Sequence, residues 1–170
     1  MTLVSWRDPG AQVTAQPVTI GFRRGGRSRR YTPDFLVAWS GGTSDLVEIK
    51  YRHDLRADWP RLRPAFAAAR SWAGAHAMRF RIATERGIRG PRLDAAKRLL
   101  PLRTAPIDTV LAEAAVARAS IGPMAFGDLV DALPAARAAA LAVVWRLVAR
   151  GALVIDVSTP IVPTTLVRRP

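Results

Sequence analysis

Cysteine is absent from this 170-residue chain, which excludes disulfides, thiolate zinc sites and a cysteine nucleophile. Histidine occurs only at His53 and His76, too few for a zinc site without carboxylate help. There is no charged-then-apolar leader, and the apolar run around Ala138–Val144 is too short and too rich in alanine to span a bilayer. A soluble cytoplasmic protein without membrane contact is the expectation. Lysine and glutamate are scarce as well. Beside 24 arginines stand two lysines, Lys50 and Lys97, and the glutamates are Glu48, Glu85 and Glu113.

What is abundant is positive charge. A formal net charge of +13 and a pI of about 11.7 point to a polyanionic partner, of which nucleic acid is the commonest. An arginine bias inherited from base composition gives the same figure, so charge alone is supporting evidence. Its distribution is uneven: residues 1–104 hold 20 basic and 8 acidic side chains, and residues 105–170 hold 6 and 5. The length allows a core of roughly 100 residues with a small satellite domain. The expected division is 1–104 and 105–170.

The stretch Tyr31–Tyr51 organises the first part. Phe35, Val37 and Trp39 alternate with Asp34, Leu36 and Ala38, while Val47, Ile49 and Tyr51 alternate with Leu46, Glu48 and Lys50. Ser40-Gly41-Gly42-Thr43-Ser44 between them is turn material, so a β-hairpin is predicted. Residues two apart on a strand share a face, which points Glu48 and Lys50 the same way and sends Ile49 into the core. Folding about Gly41-Gly42 sets Asp34 opposite or diagonal to Glu48 and Lys50. Two carboxylates, the carbonyl of Ile49 and waters make a hard oxygen shell suited to Mg²⁺ or Mn²⁺. A neighbouring ammonium orients an attacking water and offsets phosphoryl charge. In a chain that writes arginine almost everywhere, Lys50 marks a place that takes a compact point charge. A Glu-x-Lys triplet alone reads first as a solvated strand face with a weak ion pair; the linked Pro33-Asp34, Gly-Gly turn and second apolar strand favour the site.

Tyr31-Thr32-Pro33-Asp34-Phe35-Leu36-Val37 followed by Leu46-Val47-Glu48-Ile49-Lys50 resembles the PD-(D/E)xK nuclease signature. With Gln16-Pro17 upstream and Phe80–Glu85 downstream, the surroundings resemble the TnsA-type endonuclease subunit of heteromeric transposases over most of residues 8–100. The resemblance implies a restriction-endonuclease-like α/β fold, a mixed sheet flanked by helices, with a small C-terminal winged-helix-like domain. It implies catalytic roles for Asp34, Glu48 and Lys50, with the two acids holding the metal and Lys50 assisting the water. It further implies double-stranded DNA as substrate, cleavage of one strand at a transposon end, and a transposase subunit and an ATPase regulator as partners. Such proteins also carry an upstream helix with an active-site Glu, whereas only seven residues precede Asp8 here and none is Glu. The alternative expectations are a catalytically silent DNA-binding or assembly subunit and a related restriction or repair nuclease.

Along the rest of the chain, Val18–Phe22 alternates as a strand, and its tip carries Arg23, Arg24, Arg27, Arg29 and Arg30 around Gly25-Gly26. These arginines, with Arg52 and His53 beyond Lys50, are the candidate DNA contacts, of the phosphate-positioning kind. A solvated, self-repelling loop is the competing reading, and a loop histidine such as His53 is more often plain surface. A helix is predicted over 57–73, entered or kinked at Pro60 and Pro64, with Leu62, Phe66, Ala69 and Ala73 on one face. Met78–Thr84 reads as a third strand, and Pro91–Leu100 as a helix ahead of a linker over 102–106. Helices over 107–119, 125–133 and 134–150, the last closed by Gly151, precede a two-stranded wing over 152–157 and 161–167. The last helix is sparse in phosphate donors, so the small domain is expected to dock protein.

Overall fold

The computed structural model describes residues 1–170 and sets the predicted hairpin at the centre of a four-stranded mixed sheet. Two compact units are present, Leu3–Arg89 and Gly90–Pro170.

The first unit begins with a short helix α1 (Thr2–Arg7), followed by β1 (Gln12–Ala15), β2 (Ile20–Arg24), β3 (Arg27–Tyr31), β4 (Phe35–Ala38) and β5 (Ser44–Ile49). Then come α2 (Arg52–Ala57), α3 (Trp59–Ala75), β6 (Arg79–Ala83) and α4 (Glu85–Ile88). The sheet runs β1-β4-β5-β6, while β2 and β3 form a separate two-stranded ribbon. β4 and β5 are antiparallel with Phe35 opposite Val47 and Leu36 opposite Leu46. Their turn closes through Trp39 N–H to the Thr43 carbonyl at 2.9 Å, and Gly42 takes a φ of +80°, which glycine adopts without steric cost. β6 lies parallel to β5, a connection that needs a crossover, and α2 and α3 supply it.

One face of β5 makes the core. Leu46 is fully buried with Ile20, Ala69 and Ala73, and Val18, Tyr31, Trp72, Met78 and Phe80 pack around them. Phe66 of α3 stacks edge-on to Tyr31 at 5.9 Å and lies 5.6 Å from Phe80. Leu62 is only half-buried, and Ala65 joins Phe66, Ala69 and Ala73 inside. The predicted helix 57–73 is α3, with Pro60 in its first turn and Pro64 within it, and the short α2 precedes it across Asp58.

Ile49 is corrected by the structure: it is 42% exposed. Apolar residues occupy both faces of β5, so alternation alone did not say which face meets α3. The packing face is that of Leu46, and Glu48 shares it. α1, also unforeseen, has no side-chain cap and buries no residue, which leaves little trace in a sequence.

The second unit holds α5 (Pro91–Leu99), a 3-10 turn over Leu100–Leu102, α6 (Thr109–Ala119), β7 (Met124–Ala125), α7 (Phe126–Asp131), α8 (Arg137–Ala149), β8 (Val154–Ile155) and β9 (Leu166–Arg168). Its three strands are ordered β7-β9-β8, antiparallel throughout, so the expected two-stranded wing gains a third strand from before α7. Asp108 caps α6 by accepting from Leu111 N–H at 3.0 Å, and Gly151 ends α8 at φ +75°. Leu129, Val144, Leu153 and Val167 form the buried centre.

The compact units meet at Arg89–Gly90 rather than at 104–105. α5 buries Ala95, Ala96 and Leu99, and Arg98 lies 4.9 Å from the Trp145 ring of α8, so this helix belongs with the second unit. The prolines at 101 and 106 are the louder punctuation in sequence. The backbone turns instead at Gly90, whose φ of +125° and ψ of −172° are open essentially to glycine alone. On this division the first unit holds 16 basic and 7 acidic side chains and the second 10 and 6. The charge contrast is gentler than the expected boundary implied. No helix is long and apolar enough to cross a membrane.

Truncating the fully buried Leu46 to alanine is expected to destabilise the first unit by about 2–5 kcal/mol, through lost transfer energy and the cavity left behind. Urea melts of wild type and Leu46→Ala measure it.

Candidate active site

The β4–β5 register, continued one step past Phe35–Val47, sets Asp34 directly across from Glu48. Asp34 follows the buried Pro33, which holds the chain extended, and its carbonyl accepts from Gln16 N–H at 2.8 Å. Its Oδ2 accepts from the Ile49 N–H at 2.7 Å, pinning the carboxylate to the end of β5.

Glu48 is only 3% exposed, on the same face as Leu46. An ionised carboxylate there needs partners. Its Oε2 accepts from the Tyr31 hydroxyl at 2.7 Å, and its Oε1 lies 2.8 Å from Lys50 Nζ. Lys50 keeps a third of its side chain in solvent, while its N–H donates to the Ala83 carbonyl at 3.0 Å and extends the β5–β6 ladder. The hydrogen bond to Glu48 raises the Lys50 pKa; partial burial opposes this, and the charges of Glu48, Asp34 and Asp54 add to it. Lys50 is therefore held as an ammonium against Glu48. Burial is the first cause that pushes the Tyr31 phenol above its usual range, followed by the hydrogen bond to Glu48 and the charges of Glu48 and Asp34. Asp34 thus acts electrostatically on both partners of Glu48, and the four side chains form one group.

Tyr31 is the member that sequence reasoning missed. In sequence it stands out only as one of two tyrosines, two residues before the Pro33-Asp34 step. Glu85 was missed too: its Oε2 accepts from Arg52 N–H at 3.0 Å and fixes where α2 starts, just after Lys50.

The other candidates lie apart from this group in their contacts. Arg52 opens α2, and His53 is exposed with its Nδ1 2.8 Å from Asp54 Oδ1. Neither makes a hydrogen bond to Asp34, Glu48 or Lys50. Arg23, Arg24, Arg27, Arg29 and Arg30 are all exposed on the β2–β3 ribbon. Arg23 donates to the Gly26 carbonyl at 3.1 Å and Arg24 to the Arg61 carbonyl at 3.3 Å.

The first unit is thus a mixed α/β domain that presents two acids and an ammonium from adjacent strands. Residues 11–85 match the family model described as TnsA-like endonuclease N terminal. The matched stretch, under half of the chain, runs from β1 to Glu85 and contains Asp34, Glu48 and Lys50, so this part of the chain is TnsA-like. No curated protein matches the chain.

Tyr31→Phe removes a hydrogen bond to a buried charge and is expected to cost about 1.5–3 kcal/mol. The raised phenol pKa also has a sign: above pH 10.0, the ordinary tyrosine value, the unfolded chain loses this proton first. The stabilisation from Tyr31 is therefore whole below pH 10.0 and fades as the pH rises beyond it. In a Tyr51→Phe background, where Tyr31 is the sole tyrosine, phenolate absorbance is expected to appear only as the chain unfolds.

Proposed function

We propose that the chain is a divalent-metal-dependent DNA endonuclease subunit of a heteromeric transposase, hydrolysing one strand at a transposon end. The observation that carries this reading is Asp34 set across from Glu48, with Lys50 paired to Glu48, inside the TnsA-like segment.

The donor set suits a hard cation. Asp34 has committed one oxygen, and Glu48 uses two of the roughly four lone-pair directions a carboxylate offers. Asp34, Glu48 and the Ile49 carbonyl would hold Mg²⁺ or Mn²⁺, with water and a phosphate oxygen completing the shell. Such an ion, when bound, lowers the pKa of water and neutralises phosphoryl charge. Lys50 donates toward the incoming water or the phosphate and offsets charge that grows during hydrolysis. Tyr31 holds the Glu48 carboxylate in one orientation. The ribbon arginines, with Arg52 and His53 at the start of α2, take the DNA backbone.

The helix order α6, α7, α8 with the β7-β9-β8 sheet supports a winged-helix-like second unit. Its last helix exposes Ala138, Ala139 and Leu141 beside Arg137, a face better suited to protein than to phosphate. Docking to a transposase subunit and an ATPase regulator is the role this supports. Action on DNA carries with it an intracellular, cytoplasmic location.

Nicking of supercoiled plasmid in Mn²⁺ tests the reading. Asp34→Ala is expected to abolish cutting and Lys50→Ala to slow it by about 10²-fold or more. A wild type that binds the plasmid yet never nicks it, in the presence of its partners as well, contradicts the proposal and favours a silent assembly subunit.

A further inference from the structure

The β2–β3 ribbon has two unlike faces. Ile20 lies in the core, Tyr31 reaches Glu48, and Arg24 reaches the backbone of α3, so the face carrying Ile20, Phe22, Arg24, Arg27, Arg29 and Tyr31 turns toward the helix. Strand alternation sends Gly21, Arg23, Ser28 and Arg30 to the outer face. Across the ribbon Arg30 pairs with Gly21 and Arg23 with Ser28, so each outward arginine stands beside a residue with little or no side chain. Nothing lies within 4 Å of where a Gly21 Cβ would be. A shallow, open concavity borders this stretch, lined by Gly21, Arg23, Ser28 and Arg30 of the outer face together with Phe22 and Arg29 of the other.

Charge completes the picture. Ile20–Tyr31 contains five arginines and no acid, and none of the five pairs with a carboxylate. Arg24 and Arg27 sit directly opposite one another beside the Gly25-Gly26 turn, a like-charge pair that weakens a ribbon in isolation. A glycine in a strand interior costs stability unless something must come close to the backbone.

We propose that the outer face of the ribbon is a seat for the phosphodiester backbone of duplex DNA, with Gly21 and Ser28 as its floor and Arg23 and Arg30 as its phosphate donors. The inference rests on the DNA-cutting reading and adds to it where on the ribbon the duplex lies. A position without a side chain lets the phosphodiester chain come close to the face of the ribbon, and Gly21 leaves that face open.

Fluorescence anisotropy of the full chain with a short labelled duplex, in EDTA and over a range of salt, tests the seat. Arg23→Ala and Arg30→Ala are each expected to weaken binding by about tenfold and lower the salt slope by about one. Gly21→Val keeps every charge and is expected to melt no lower than wild type, since valine suits a strand and meets no atom. It is nevertheless expected to bind at least about fivefold more weakly, because its branched side chain covers the floor. Gly21→Ala, a smaller obstacle, falls between the two and serves if the valine variant folds poorly. Gly21 variants that bind as tightly as wild type overturn the seat. If wild type binds and nicks DNA while those variants are indifferent, the seat alone falls; if wild type binds no duplex, the endonuclease reading falls with it.

Discussion

A buried carboxylate is the constraint that ties the first unit together. Glu48 sits on the face of β5 that packs against α3, two residues from the fully buried Leu46. A charge there is tolerated only with partners, and Tyr31 and Lys50 supply them. Tyr31 ends the ribbon and Lys50 extends β5, so both chain segments are held where Glu48 needs them. Asp34 joins from β4 by bonding the Ile49 N–H, and Glu85 sets the start of α2 immediately beyond. The ribbon, the two central strands and the first helix of the crossover therefore converge on a few ångströms of polar structure.

A second buried acid makes the contrast. Asp45, also 3% exposed, lies on the opposite face of the same strand and takes Trp39 Nε1 at 2.9 Å, Arg79 at 2.8 Å and Arg81 at 3.1 Å. Two guanidinium groups and an indole take three of its roughly four lone-pair directions. Glu48 has instead one ammonium and one phenol, and Asp34 beside it keeps an oxygen uncommitted. The chain thus uses arginine where an ion pair is structural and keeps a lysine where a point charge must share its partner. The TnsA-like match of residues 11–85 covers both acids.

Much of this was legible in the sequence, for identifiable reasons. Alternation and the Gly41-Gly42 turn specify the β4–β5 pairing, and a one-residue slip would have parted Asp34 from Glu48. Strand alternation likewise puts Arg79 and Arg81 on one side of β6, although their partner Asp45, 34 residues from Arg79, is beyond any local pattern. Ile49 misled because apolar residues on both faces of a strand do not say which is covered. The unit boundary misled because Gly90 looks modest beside the prolines at 101 and 106, while burial of Ala95, Ala96 and Leu99 is a tertiary fact. Tyr31 could not be assigned because its hydroxyl meets Glu48 across 17 residues of chain, which no local pattern records.

The proposed function stands on Asp34 and Glu48 together making one divalent-cation site. Isothermal titration calorimetry of the full chain with Mn²⁺ tests it most directly, comparing wild type with Asp34→Asn, which preserves shape and removes charge. A single saturable site is expected in wild type and its loss in the variant. Equal binding by both proteins, or no binding by either in the absence and presence of DNA, would contradict it.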